Sequence, residues 1–268
     1  MTAPPTDRDP LRRLLAVMAA LRDEGGCPWD RAQTHRSLLP YLIEEVYELV
    51  DAVERSDTAH MREELGDVLL QVVFHARMAQ EAGTFDFQAV AGGLADKLVA
   101  RHPHVFGGPA LASPAAVRET WEQRKSATRD SAMDGIPPAL PALQRAAKAG
   151  SRAASAGFDW RARGDIVAKI REEIDEFADE LATCAEGADG AAREALELEF
   201  GDLLFALVQL GRWEHLDAEM ALRRATDKFM ARFRHMEREM HEQGERPDAQ
   251  SDDAWWRLWA RAKAGAKP

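Results

Sequence analysis

The chain has 268 residues, 46 acidic against 35 basic, with a net charge of -11. Its 46% hydrophobic content is enough for a substantial core and excludes a disordered polymer. The negative charge disfavours a duplex nucleic-acid binder, which gains affinity by neutralising phosphates. The longest apolar runs, Val68 to Ala76 and Leu203 to Gly211, are nine residues each, far short of the roughly 20 that a membrane-crossing helix needs.

Along the chain, apolar residues recur at i, i+3, i+4 and i+7 with almost no alternation, so the expected fold class is all-α. The pattern predicts helices over Pro10–Arg22, Leu38–Arg55, Thr58–Ala82, Phe87–Ala100 and Pro114–Thr128 in the first half. It predicts Ala139–Ala156, Gly164–Thr183, Ala191–Glu214, Ala218–Glu242 and Asp252–Ala264 in the second. Between the halves, Gly135, Pro137, Pro138 and Pro141 mark a linker at about 130–141, giving domains over 1–133 and 134–268. Cys27 and Cys184 form neither a CxxC unit nor a disulfide framework, which suits a reducing, cytoplasmic setting.

The halves are related. ELGDVLLQVV from Glu64 recurs as EFGDLLFALV from Glu199 at an offset of 135, and DKLVARHPH from Asp96 recurs as DKFMARFRH from Asp227 at an offset of 131. Upstream, Glu44, Glu45 and Glu48 recur as Glu172, Glu173 and Glu176 at an offset of 128. The same order at nearly equal offsets is a tandem duplication.

Each copy carries EExxE followed by ExxD: Glu44, Glu45 and Glu48 with Glu64 and Asp67, then Glu172, Glu173 and Glu176 with Glu199 and Asp202. At 100° per residue, each set lines one stripe of its helix. Ile43, Val46, Val50 and Val53, like Ile170, Ile174, Phe177 and Leu181, line the other side and are expected to pack into a core. Two such helices packed antiparallel bring four or five carboxylates together, a repulsion that a hard divalent ion relieves. All-oxygen ligation suits Mg²⁺, with Mn²⁺ as a substitute, and a metal-bound phosphate follows. One such acidic pattern is weak evidence in a chain this acidic; two ordered copies, each trailed by a Lys-x-x-x-Arg pair, are not. A di-iron carboxylate bundle would carry ExxH where ExxD stands.

EExxE with ExxD on paired helices resembles the MazG nucleoside triphosphate pyrophosphohydrolases. GCPWD at Gly26, RHPHVF at Arg101, GFDW at Gly157 and the tandem layout extend the resemblance, to the two-domain bacterial members, along nearly the whole chain. The resemblance implies an all-α homodimer, its sites completed across the interface, that releases pyrophosphate from nucleoside triphosphates with Mg²⁺. It makes Glu173, Glu176, Glu199 and Asp202 the metal ligands of the second copy, and Glu45, Glu48, Glu64 and Asp67 those of the first. Glu172 and Glu44 would position or deprotonate the attacking water, and the C-terminal copy ranks first for hydrolysis.

Lys228 and Arg232, like Lys97 and Arg101, lie at i, i+4 and project toward a common anion, so they are assigned to phosphate. Trp255 is expected to stack on the base or to close a core, and Trp121 with Lys125 occupies the corresponding place in the first half. Trp29 and Trp160 are candidates for nucleotide pockets. The rival reading is a helical nucleotide sensor or adaptor whose N-terminal copy binds without turnover.

Overall fold

A computed structural model describes residues 4–107, 113, 130–184, 190–243 and 251–265. Among these residues the fold is entirely helical. The expected helix at 114–128, with Trp121 and Lys125, lies outside them. The chain divides into two compact units, Met1–Ala116 and Val117–Pro268.

Unit 1 contains α1 (Pro10–Arg22), α2 (Pro28–Ala32), α3 (Leu39–Glu54), α4 (Thr58–Glu81) and α5 (Phe87–Arg101). Aspartates start three of these helices. Asp9 Oδ1 accepts from the amides of Leu11 and Arg12, Asp57 Oδ1 from Ala59 and His60, and Asp86 Oδ1 from Ala89, each offsetting orphan donors of a first turn. Helix α4 is the centre of the unit, packing against α3, α1 and α5. Its Val73, Phe74 and Met78 form the core with Met18 and Leu38, and Leu14, Leu15, Leu70 and Phe87 pack around them.

Unit 2 repeats this plan with α6 (Ala142–Ser155), α7 (Arg163–Thr183), α8 (Ala191–Trp213), α9 (Ala218–Glu242) and α10 (Asp252–Gly265). Helix α8 packs against α7 and α6, and α9 packs against α6, α8 and α10. Met236 and Met240 of α9 form a buried cluster with Leu258 and Ala262 of α10, flanked by Trp255 and Trp259.

The predicted helices match the described ones to within three residues at either end, and α2 is an addition. The apolar faces of α3 and α7 are a correction. Ile43, Val46, Val53, Ile174 and Leu181 are exposed, although Phe177 does reach Phe200 at 5.6 Å between ring centroids. Within each unit, α3 and α7 meet one principal neighbour, α4 and α8 respectively. That neighbour covers only one side of a helix that is apolar over a wider arc.

Candidate metal centres

The α3–α4 pair of unit 1 carries EExxE on the first helix and ExxD on the second, and α7–α8 does the same in unit 2. In unit 1, carboxylate oxygens of Glu45, Glu48 and Glu64 lie within 4.8 Å of one another. In unit 2 the corresponding group is Glu173, Glu199 and Asp202, within the same limit. Asp67 and Glu176 stand outside these triplets but act on them electrically. Glu45 is held above its ordinary carboxyl range by partial desolvation, then by the charges of Asp67, Glu48, Glu64 and Glu44. Glu48 is raised by desolvation and then by Glu64 and Glu44. Glu199 is raised by desolvation and then by Glu176, Asp202, Glu173 and Glu180.

One carboxylate of each cluster is buried, Glu64 at 4% exposure and Glu173 at 5%. Glu64 Oε2 is buried with no hydrogen-bond partner. A buried carboxylate oxygen left unpaired is costly, and carboxylates converging on it provide an all-oxygen site for a hard cation. The donor chemistry and the orphaned oxygen thus fit a divalent metal.

Each cluster also has a counter-group that reading for motifs alone passes over. In unit 2, Lys169 Nζ donates to Glu172 Oε1 at 2.5 Å, lies 2.9 Å from Glu173 Oε1 and 3.8 Å from Glu176 Oε2. Its ammonium is stabilised in the charged form, first by the hydrogen bond to Glu172 and then by that to Glu173. In unit 1 the position equivalent to Lys169 is Tyr41, and the counter-group is instead His60, whose Nε2 lies 2.7 Å from Glu64 Oε1. Both groups sit four residues before the buried acid, so i, i+4 spacing was the available signal. Glu44, like Glu172, is exposed on the EExxE helix.

The cations assigned to phosphate sit on other helices. Lys228 is exposed on α9, and the guanidinium of Arg232 lies 5.7 Å from the Trp259 ring centroid. Arg232 Nε is buried without a hydrogen-bond partner. Lys97 and Arg101 are exposed on α5. Trp255 stacks on Phe233 at 5.5 Å with an interplanar angle of 14°, so one face of its indole is committed to packing. Trp29 lies edge-on to Tyr41. Trp160 lines a cavity of about 420 Å³ between α6, α7 and α8 with Phe158 and Phe205. Among the described residues, no helix is long and apolar enough to cross a membrane.

Two segments of the chain, 33–106 and 163–237, match the family model described as the MazG nucleotide pyrophosphohydrolase domain. The chain is 47% identical over 232 residues to the nucleoside triphosphate pyrophosphohydrolase of Escherichia coli K12, covering 84% of this chain and 86% of that protein. It is 44% identical over 260 residues to the nucleoside triphosphate pyrophosphohydrolase/pyrophosphatase MazG of Thermotoga maritima, covering 94% and 95%. It is 37% identical over 210 residues to the nucleoside triphosphate pyrophosphohydrolase of Mycobacterium tuberculosis, covering 72% and 63%.

Proposed function

Because the chain belongs to the MazG nucleotide pyrophosphohydrolase family, we propose that it is a nucleoside triphosphate pyrophosphohydrolase that uses Mg²⁺ to form nucleoside monophosphates and pyrophosphate, clearing nucleotide pools in the cytoplasm. The observation that carries this reading is the convergence of Glu173, Glu199 and Asp202 within 4.8 Å on two packed helices, one of them almost fully buried. Glu173, Glu176, Glu199 and Asp202 hold the metal in unit 2, and Glu45, Glu48, Glu64 and Asp67 hold it in unit 1. When bound, Mg²⁺ supplies a Lewis acid for a phosphoryl oxygen and a more acidic water.

The chain's own groups do the rest. Glu172 orients the attacking water and takes its proton, as water adds across the α,β-anhydride and the bridging oxygen departs with pyrophosphate. Lys228 as a point charge and Arg232 as a fork neutralise the charge on the departing group, the main need of phosphoryl transfer. Arg232 is suited to this by its buried, unpartnered Nε. Lys97 and Arg101 hold phosphate in unit 1, with Trp121 and Lys125 at the corresponding nucleotide edge. Trp255, packed on Phe233, borders the nucleotide pocket.

The protein acts as a homodimer. Exposed Ile43, Val46, Leu69, Ile174, Leu181 and Leu207 are apolar side chains on the helices that carry the acids, and such surface in a folded chain marks an interface. Pyrophosphate release from a panel of ribo- and deoxynucleoside triphosphates, with Mg²⁺ and with EDTA, tests the proposal. Release with Mg²⁺ and none with EDTA is expected. Absence of turnover on every triphosphate would leave a nucleotide-sensing module as the better account.

A further inference from the structure

We propose that unit 2 has a separate ligand site, a cavity between α6 and the α8–α9 turn in which Lys148 and Glu219 bind the two charges of a small aliphatic zwitterion, a free amino acid. The site stands apart from the acid cluster and does not depend on the hydrolase reading.

The cavity has a volume of about 530 Å³, within the ordinary range for small-ligand pockets. Its walls are apolar at Leu140, Leu143 and Leu216, and Lys148 of α6 and Glu219 of α9 are among its charged lining residues. Arg212 lines it from the last turn of α8, ten residues after Asp202. At 1.5 Å per residue that is about 15 Å along the helix from the acid cluster. Lys228 follows Glu219 by nine residues of α9, or about 13 Å, so the groups assigned to phosphate are distant as well. The turn that forms one wall is closed by hydrogen bonds from His215 N to Arg212 O at 3.1 Å and from Leu216 N to Gly211 O at 2.8 Å. The backbone therefore sets the shape of this wall without a ligand.

Several polar groups around the cavity are already used. Arg212 is bound to Asp159 and to Gln209, Asp217 Oδ1 caps α9 by accepting from the amide of Met220, and Ser151 Oγ donates to Ala147 O. Lys148 and Glu219 are different. Glu219 Oε2 is buried with no hydrogen-bond partner, and the exposed Lys148 makes no ion pair among the described residues. A buried carboxylate oxygen left without a donor is costly, so the cavity calls for a donor from its ligand. A ligand that is only a cation meets Lys148, and one that is only an anion meets Glu219, each a like-charge contact that disfavours binding. A zwitterion gives Glu219 an ammonium and Lys148 a carboxylate, while an aliphatic body covers the leucines.

The duplication supplies the control. The offset of 131 that relates Asp96 to Asp227 also relates Gln88 to Glu219, and the same offset relates Gly26 to Gly157 and so Val17 to Lys148. Neither counterpart is charged. The offset of 135 relates Arg77 to Arg212, and in unit 1 Arg77 is bound to Asp23 and Glu81, with Glu81 bound also to Arg22. Leu216 stands in unit 2 where Glu81 stands in unit 1. Unit 1 thus pairs its charges at this end of the bundle with one another, whereas unit 2 keeps a cation and an anion at a cavity.

Isothermal titration calorimetry of the full chain with L-leucine and with 6-aminohexanoate tests the site, each compound set against its analogue lacking the ammonium and its analogue lacking the carboxylate. Leucine carries its charges on one carbon and 6-aminohexanoate at its two ends, so the pair brackets the span between Lys148 and Glu219. At least one zwitterion is expected to bind, with each of its single-charge analogues weaker by about tenfold or more. Lys148→Met and Glu219→Gln should each weaken the zwitterion by about tenfold or more, the loss of a charge-assisted hydrogen bond. The variants should also differ from each other: Glu219→Gln should not weaken the ammonium-free analogue, nor Lys148→Met the carboxylate-free one, a pattern that loss of fold cannot produce. No binding of either zwitterion at millimolar concentration, equal affinity for a zwitterion and its analogues, or unchanged affinity in either folded variant would overturn the proposal. Should Glu219→Gln not fold, Lys148→Met, at an exposed residue, decides alone, and unchanged zwitterion affinity in it would refute the site. Because pyrophosphate release is not the readout, neither result bears on the hydrolase reading.

Discussion

Lys169 occupies the cluster of unit 2 as a tethered cation, so a metal must displace it. Replacing it with methionine tests that competition. Its Nζ stands 2.9 Å from the nearly buried Glu173 carboxylate and also reaches the exposed Glu172 and Glu176. A hydrogen bond between charged groups with one partner buried contributes about 1.5 kcal/mol, and exposed pairs add a few tenths each after screening. The total is about 2 kcal/mol, or roughly thirtyfold in an equilibrium constant. In a Glu45→Ala background, where unit 1 is impaired, Lys169→Met should tighten Mn²⁺ binding measured without nucleotide by up to about thirtyfold. The same change should lower the melting temperature of the metal-free protein, because the carboxylates then repel one another unrelieved. The two readouts move in opposite directions, which loss of fold alone cannot produce. Mn²⁺ binding that is weakened or unchanged in a folded Lys169→Met protein would refute the competition.

Three further outcomes follow from the packing and charge. Met18→Ala should destabilise unit 1 by about 2 to 4 kcal/mol in urea unfolding, since Met18 is 2% exposed within its main core cluster. Arg22 forks onto Glu81 and also donates to Asp30 O, and its hydrogen bond holds the Glu81 carboxyl below its ordinary value of 4.5. Arg22→Ala should therefore cost about 1.5 to 3 kcal/mol at neutral pH, the deficit shrinking as pH falls from 4.5 through the depressed value. Glu199 has the opposite sign: its raised carboxyl opposes folding when ionised. Glu199→Gln should stabilise the metal-free protein at pH 7, with the gain fading as pH falls through the raised value to the ordinary 4.5. It should also abolish the stabilisation that added Mg²⁺ gives unit 2.

The helices were legible because amphipathic period and aspartate caps are local signals, so α1 and α9 match from first residue to last. Helix α2, five residues long, is too short to show a period. The acid stripes were legible because i, i+1 and i+4 fix one helix face whatever the tertiary structure. Which three acids converge in each copy was not, since Asp67 and Glu176 occupy motif positions as strong as those of Asp202 and Glu48. The distinction depends on how two helices settle side by side. Burial of Ile43 and Ile174 was misjudged for a related reason: an apolar face demands cover, but the pattern does not say that the cover lies within the same unit.

The most direct measurement of the central claim is Mg²⁺-dependent pyrophosphate release by the full chain, compared with Glu173→Ala and Glu45→Ala, each verified as folded. The account predicts that Glu173→Ala abolishes release and Glu45→Ala retains it. Full activity in Glu173→Ala, with loss confined to Glu45→Ala, would contradict the assignment of the chemistry to unit 2.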